Sequence, residues 1–140
     1  MPLRIELAPH ERLIIGEASI RNGPRRSEFV IETQTKVLRE RDIITESEAD
    51  TPCKRLYLAL EAAYLSADPA PLEARFMALA NEVMAAAPST APFIADAFEC
   101  ILAGDYYKAL KSAKKLLAFE AELLALARSN ALRDAEAGAA

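Results

Sequence analysis

The chain has 140 residues, a formal net charge of −4 at pH 7 and an apolar content of 52%. A length of this order fits one domain, and such an apolar fraction supports a packed core rather than a disordered chain. The acidic balance argues against a protein that coats nucleic acid by charge alone. It leaves open one local site that reads a particular RNA shape.

The compartment follows from three features of the sequence. No uncharged apolar run reaches about 18 residues, which argues against a membrane-spanning helix. Arg4 and Glu6 stand where a signal peptide needs apolar residues. Cys53 and Cys100 lie far apart without a second ligand pair, which is typical of a reducing compartment and leaves a disulfide between them as the less favoured alternative. We therefore expect a cytoplasmic protein.

The first third of the chain alternates apolar and polar residues with a period of two, which predicts strands. Asn22-Gly23 is a hairpin signal, and Gly16 would permit a bulge in the strand before it. The predicted strands are residues 3–7, 13–21, 28–32 and 36–38. They form a small antiparallel β module or partial barrel, with no helix longer than two turns.

From Thr45 onward the apolar period becomes 3.6 residues, which predicts helices. Helix-start signals stand at Thr45 to Glu48, Thr51-Pro52, Thr90 and Asp105. The predicted helices run from Thr51 to about Ser66, over 70–87, from Thr90 to Gly104, and from Asp105 to about Arg128. We predict an α+β protein with a β module at 1–45, a four-helix region at 46–128 packed on it, and a frayed tail at 129–140.

Catalytic chemistry is missing from the sequence. His10 is the single histidine, and its place in a predicted turn favours a solvated residue over a catalyst. One histidine cannot supply a histidine-based zinc signature, and the four glycines form no phosphate-binding loop. We expect no enzymatic activity, no cofactor and no metal, and a protein that works by binding.

A group of arginines in the β module is the first candidate site. Arginine side chains can bond phosphates and stack on unpaired bases. The alternative is a charged hairpin tip with charged edges that prevent sheets from aggregating. The candidate RNA-binding residues are Arg21, Arg25, Arg26, Arg39 and Arg41, with Lys36 beside them.

The second candidate site is on the fourth predicted helix, where basic residues recur at spacings of three and four. Such a stripe suits RNA or an acidic partner, and the solvated back of an amphipathic helix is the alternative. Tyr106 and Tyr107 diverge by about 100°, so that one ring can pack inward while the other faces out. The candidate residues are Tyr107, Lys108, Lys111 and Lys115, together with Lys114.

Eight short motifs are distributed over residues 1 to about 125. They are Met1-Pro2-Leu3, Leu7 to Arg12, Ile20 to Gly23, Arg25-Arg26, Val37 to Ile43, Thr51-Pro52, Lys54 to Tyr57 and Tyr106 to Leu110. Together and in this order, they resemble the FlbT family, bacterial regulators of flagellum biosynthesis.

The resemblance implies a post-transcriptional regulator that binds the 5′ untranslated region of flagellin mRNA and represses its translation or promotes its degradation. Some members are activators, so both signs of regulation stay open. The regulator FlaF is the implied protein partner, and the sequence leaves homo-oligomerisation open.

Residues 5–43 also resemble CsrA, a small β-sheet translational repressor. Pro9 to Gly16 is similar to its first turn and strand, and Leu38-Arg39-Glu40 is similar to a segment that implies an RNA contact at Arg39. The paired arginines of its first strand are replaced here by Leu7 and Ala8. A function of another class stays open as well, namely a flagellar export-chaperone-like adaptor that binds proteins and does not contact RNA.

Overall fold

The computed structural model describes residues 2–138 and shows a small β module followed by helices. Met1, Ala139 and Ala140 lie outside the described residues. Within 2–138 the strands are β1 (Leu3–Leu7), β2 (Arg12–Ile15), β3 (Ala18–Arg21), β4 (Ser27–Ile31) and β5 (Val37–Arg39), and the helices are α1 (Pro52–Leu65), α2 (Ala70–Ala86), α3 (Ala91–Leu102) and α4 (Tyr106–Gly138). The predicted α+β class is confirmed. As predicted, residues 2–44 hold no helix beyond one 3₁₀ turn, Glu40–Asp42.

The β module has two layers. β1 and β4 form an antiparallel ribbon, while β3, β2 and β5 form an antiparallel sheet in that order. Leu13 of β2 packs with Ile5 and Leu7 of the ribbon, whereas Ile14 and Leu38 pack into the helical core. Because successive residues of a strand point to opposite faces, the three-stranded sheet is the middle layer between the ribbon and the helices.

The segment 13–21, predicted as one strand, is divided into β2 and β3 by a hairpin turn at Gly16-Glu17. The hairpin predicted at Asn22-Gly23 is wrong, because β3 pairs with β2 and β4 pairs with β1. Ile15 pairs with Ala18 across a two-residue loop. Gly16 has a φ of 58°, and glycine is favoured at the first position of a type II′ turn because φ is positive there. The predicted bulge at Gly16 is wrong for the same reason, since the strand ends there.

Two of the four predicted helix-start signals form side-chain caps at the start of a helix. The Thr51 hydroxyl accepts a hydrogen bond from the Lys54 amide (3.2 Å), and the Asp105 carboxylate accepts one from the Lys108 amide (3.0 Å). At Thr45 the Glu48 carboxylate accepts hydrogen bonds from the Thr45 amide and hydroxyl. The Glu48 amide bonds to the Thr45 carbonyl and closes an isolated turn, so no helix starts there. The predicted side-chain cap at Thr90 is wrong, because its hydroxyl donates backwards to the Ala87 carbonyl (2.6 Å).

The predicted end of the fourth helix near Arg128 was also wrong, because α4 continues to Gly138. Its 33 residues correspond to a length of about 50 Å. Residues 131–137 include alanine, leucine, arginine and glutamate, which have high helix propensity, and no proline interrupts the helix there. Fraying of this end stays a prediction, and its last two residues, Ala139 and Ala140, are outside the described part of the chain.

The helical core forms around α1, which contacts α2 and α4, while α3 packs on α4. Glu120 of α4 joins the two central helices. Its carboxylate accepts hydrogen bonds from the Thr51 hydroxyl and the Cys53 amide at the start of α1. The first amides of a helix have no partner within the helix, so Glu120 adds an acceptor beside the Thr51 cap. Cys53 and Cys100 are separate thiols, and burial, with Glu120 nearby, raises the pKa of Cys53 to about 12.

Glu61 of α1 is a buried carboxylic acid beside the segment that connects the β module to the helices. Its side chain is 6% exposed, and its Oε1 accepts a hydrogen bond from the Ile44 amide (2.9 Å). Burial raises the pKa of Glu61 to about 7, and the charge of Glu48 acts in the same direction. The native state therefore holds a proton at this position that the unfolded chain releases at lower pH.

We predict that Glu61 makes the protein less stable as the pH rises from about 4.5 to about 7. In this window the native state binds more protons than the unfolded state, so the free energy of unfolding falls with pH, on the order of 3 kcal/mol in all. Glu61→Gln should remove this slope while keeping an acceptor for Ile44. Urea denaturation of both proteins between pH 4 and pH 8 measures it.

The exposed Glu82 of α2 provides the control for this measurement. Glu82→Gln should retain the wild-type dependence of unfolding free energy on pH. Parallel curves for wild type and Glu61→Gln would contradict the prediction.

Candidate functional site

The first part of the candidate site is the segment 21–26, which leads from β3 to β4 and is called the arginine loop here. Asn22 fixes its backbone, since the side-chain amide donates to the carbonyls of Leu7 (3.2 Å), Ala8 (2.9 Å) and Arg25 (2.8 Å). The turn before β2 is bonded to the same loop through the His10 amide and the Gly23 carbonyl (3.0 Å). The loop is therefore held from both sides.

Three of the predicted arginines are exposed on this loop. Arg21 donates to the His10 carbonyl (3.0 Å), and Arg26 lies 3.4 Å from a carboxylate oxygen of Glu6. Arg25 makes no ion pair with any residue between 2 and 138. The structure thus brings Arg21, Arg25 and Arg26 together, with most of their charge open to solvent.

Arg39 and Arg41 lie apart from the arginine loop. Leu13 pairs with both Ile20 and Arg39, so Arg39 points to the ribbon side of the middle sheet and Arg21 to the other side. Arg41 is exposed in the 3₁₀ turn. The first candidate group of arginines is therefore divided between two places.

Arg39 borders a cleft between the β module and the helices, which we call the interlayer cleft. Its volume is about 370 Å³. The lining residues are Leu3, Ile5, Thr35, Val37, Arg39, Asp42, Tyr64 and Tyr107. The cleft thus joins one residue of the first candidate group, Arg39, to one of the second, Tyr107.

Two tyrosine rings form the helical wall of the interlayer cleft. The ring centres of Tyr64 and Tyr107 are 6.0 Å apart and the planes are inclined by 48°. The Tyr64 hydroxyl donates to the Val37 carbonyl (3.0 Å), and burial raises the pKa of Tyr64. Tyr107 remains 42% exposed, while Tyr106 is turned away and bonded to Glu73, which confirms that the two rings diverge.

Asp42 is the buried charge at the base of the cleft. It is 3% exposed, and its carboxylate accepts a hydrogen bond from Lys114 and lies 3.7 Å from Lys111. The Asp42 carbonyl accepts a hydrogen bond from Tyr57, whose pKa is raised by burial and then by Asp42 and Glu61. Asp42 was not predicted as a functional residue, because it stands among charged residues that resemble a solvated turn.

The predicted lysine stripe of α4 is divided as well. Lys111 and Lys114 are directed towards Asp42, whereas Lys108 and Lys115 are exposed. Lys111 lies 5.1 Å from the centre of the Tyr107 ring, and on the β side Lys36 lies 5.9 Å from that of Tyr64. Both distances are in the range of cation–π contacts. The cleft is therefore aromatic and surrounded by cations.

Among residues 2–138, no helix is long and apolar enough to cross a membrane. In the same residues, no group of three or more histidine, cysteine, aspartate or glutamate side chains is placed to hold a metal ion.

The fold and these two surfaces define a small α+β protein with an exposed arginine loop and a basic, aromatic cleft. The model of the family described as flagellar protein FlbT matches residues 3–124. The chain belongs to the FlbT family, which confirms the resemblance seen in the sequence.

Named relatives extend this result. A probable flagellum biosynthesis repressor protein FlbT 1 of Bradyrhizobium diazoefficiens is 42% identical over 88% of this chain and 85% of its own length. One of Rhodopseudomonas palustris is 40% identical over 89% of this chain and 98% of its own. The flagellum biosynthesis repressor protein FlbT of Caulobacter vibrioides is 31% identical over 99% and 100%. No solved structure matches this chain.

We predict that Asp42→Asn lowers the free energy of unfolding by about 2 kcal/mol, because Lys111 and Lys114 lose their buried counter-charge and repel each other. Adding Lys114→Met should restore part of the loss. Urea denaturation of the two single variants and the double variant measures the coupling. Asp50→Asn, which breaks an exposed pair with Lys54, is the control and should change stability little. Additive effects of the Asp42 and Lys114 changes would refute the coupling.

Proposed function

We propose that this protein is a cytoplasmic, post-transcriptional regulator of flagellum biogenesis. It binds the 5′ untranslated region of flagellin mRNA and represses translation or promotes degradation of the message. The names of the relatives, flagellum biosynthesis repressor proteins, support the repressor role. A family of repressors is not an enzyme class, which agrees with action by binding.

The observation that carries RNA binding is the arginine loop. Three exposed guanidinium groups are attached to a backbone that Asn22 fixes by three hydrogen bonds. Guanidinium groups bond phosphates in a fixed fork geometry, and a prearranged set loses less conformational entropy when it binds. The loop therefore suits a contact with a nucleic-acid backbone.

The net charge of −4 adds selectivity to this contact. A protein with a negative net charge gains little from non-specific attraction to RNA. Binding then depends on a few local contacts, as expected for a regulator that recognises one message among many.

We predict that Arg25→Ala combined with Arg26→Ala weakens binding to a flagellin leader RNA by about 2 kcal/mol, or about 30-fold. Each lost phosphate contact should also reduce the log–log salt slope by roughly 0.7 for single-stranded RNA. Titrations of leader RNA from the source organism at several salt concentrations measure both effects.

Arg75→Ala, at an exposed position of α2, removes the same charge elsewhere and is the matched control. Its smaller effect on affinity would show that the loop, and not net charge, matters. Equal affinities and slopes for wild type and the double variant, with both folded, would remove the support for RNA binding through this loop.

An apolar groove at the end of the helical bundle suits a protein partner of the regulator, and it also favours a second candidate function, the export-chaperone-like adaptor that binds flagellar proteins without contacting RNA. This terminal groove has a volume of about 320 Å³. It is lined by Pro52, Cys53, Val83, Ala86, Ala87, Thr90, Glu120, Leu123, Leu124 and Ala127. We propose FlaF as its occupant. A second copy of the chain is the competing occupant.

We predict that Leu124→Lys, in the terminal groove, weakens binding to purified FlaF at least tenfold, because a charge would be buried against apolar partner surface. Leu132→Lys, on the same helix beyond the groove lining, should bind like wild type. Isothermal titration measures the affinities, and light scattering reports self-association. Unchanged FlaF affinity of Leu124→Lys would place the partner elsewhere.

A further inference from the structure

The interlayer cleft has the composition of a site for a planar ring that carries an anionic group. Its floor includes the buried Ile5 and the half-buried Val37, and the rings of Tyr64 and Tyr107 form one wall. Aromatic rings stack on flat π systems, and a base of any identity has such a face. A ring inserted here would exchange water for apolar and aromatic surface.

The charges around the cleft indicate that the ligand also carries an anionic group. Arg39 lies in the lining, Lys36 and Lys111 lie near the two tyrosine rings, and Lys114 pairs with Asp42. Four cations and one carboxylate leave a local net charge of +3, whereas the whole chain carries −4. The protein thus concentrates positive charge at an aromatic cleft.

The size of the cleft distinguishes between kinds of nucleic acid. A volume of about 370 Å³ is at the lower end of the range of small-ligand sites, so it suits a single nucleotide and not a helix. Bases in a duplex stack on one another and are not free to insert. An unpaired, unstacked base is the form that fits.

We propose that the interlayer cleft binds one unstacked base of a single-stranded RNA segment, with Tyr107 as the stacking platform and Arg39 on an adjacent phosphate. This inference rests on the proposed RNA-binding function. It adds the form of RNA that is recognised and a contact site distinct from the arginine loop.

The arrangement of β1 connects the two sites. Leu3 and Ile5 border the cleft, whereas the Leu7 carbonyl is bonded to Asn22 of the arginine loop. Four residues of strand correspond to about 13 Å, so one short RNA segment can reach both. The loop then holds the backbone while the cleft receives a base.

Abasic scanning of the flagellin leader, combined with Tyr107→Ala, tests this site. An abasic nucleotide removes one base and keeps the phosphate. At one position of the leader, removal of the base should weaken binding to wild type on the order of tenfold, as for the loss of one stacked base. Tyr107→Ala should weaken binding to the intact leader by a similar factor, and the two changes together by no more than either alone.

Three controls make the result specific. Tyr107→Phe keeps the ring and should bind like wild type. Met77→Ala removes a comparably exposed side chain from α2 (38% against 42% for Tyr107) and should also bind like wild type. Duplex RNA made by annealing the complement to the leader should bind more weakly than the single strand. Circular dichroism confirms that every variant is folded.

The outcomes separate this inference from the proposed function. Leader binding that responds to the arginine-loop changes but shows no abasic position coupled to Tyr107 would overturn the cleft site and leave the regulatory function in place. Equal binding of duplex and single strand would also overturn it. Failure of the wild type to bind any flagellin leader would overturn both.

Discussion

The contact of Asp42 with Lys111 and Lys114 is the constraint on which the arrangement of the two regions depends. The aspartate ends the β module, and the lysines lie about 70 residues later on α4. A carboxylate that is 3% exposed must keep its partners, since an unpaired buried charge costs several kcal/mol. The β module therefore has one favoured position on the bundle. The interlayer cleft exists only in that position, because β1 and β5 supply one wall and α1 and α4 the other.

The same contact gives two of the basic residues on α4 a structural role. A spacing of three between Lys111 and Lys114 is ordinary for an exposed helix face. In the folded protein these two side chains are directed to the buried carboxylate of Asp42. Their charge therefore stabilises the contact between the β module and α4, and it also lies beside the cleft. Arg39, Tyr107 and Lys111 meet there although the sequence separates them into two groups.

Local patterns explain which features could be predicted. The period of two in the first third and the period of 3.6 afterwards predicted the strands, the helices and the α+β class, because burial of one face repeats with the geometry of each element. Thr51 and Asp105 were predictable as caps since their contacts reach three residues. The turn at Gly16 could not be predicted from the position of the glycine, because a two-residue turn depends on which strand residues pair.

The cleft and the division of the arginines could not be predicted in the same way. They depend on the register of β2 with β5 and on the contact of Asp42 with α4, which join residues far apart in the chain. A charged segment such as residues 39–42 has no apolar periodicity that would indicate burial. The motifs that resemble the FlbT family identified the family, but they did not show that Arg39 faces away from Arg21.

Asn22 has a consequence for how members of such a family can diverge. Its side chain fixes the length of the arginine loop, because its amide donates to the carbonyls of residues 7, 8 and 25 at once. An inserted or deleted residue between 22 and 25 would break this register and release the loop. Pro24, Arg25 and Arg26 have exposed side chains, which the fold leaves free to change. A new RNA preference can therefore arise here by substitution, whereas a change of loop length would disrupt the backbone that holds the arginines in place.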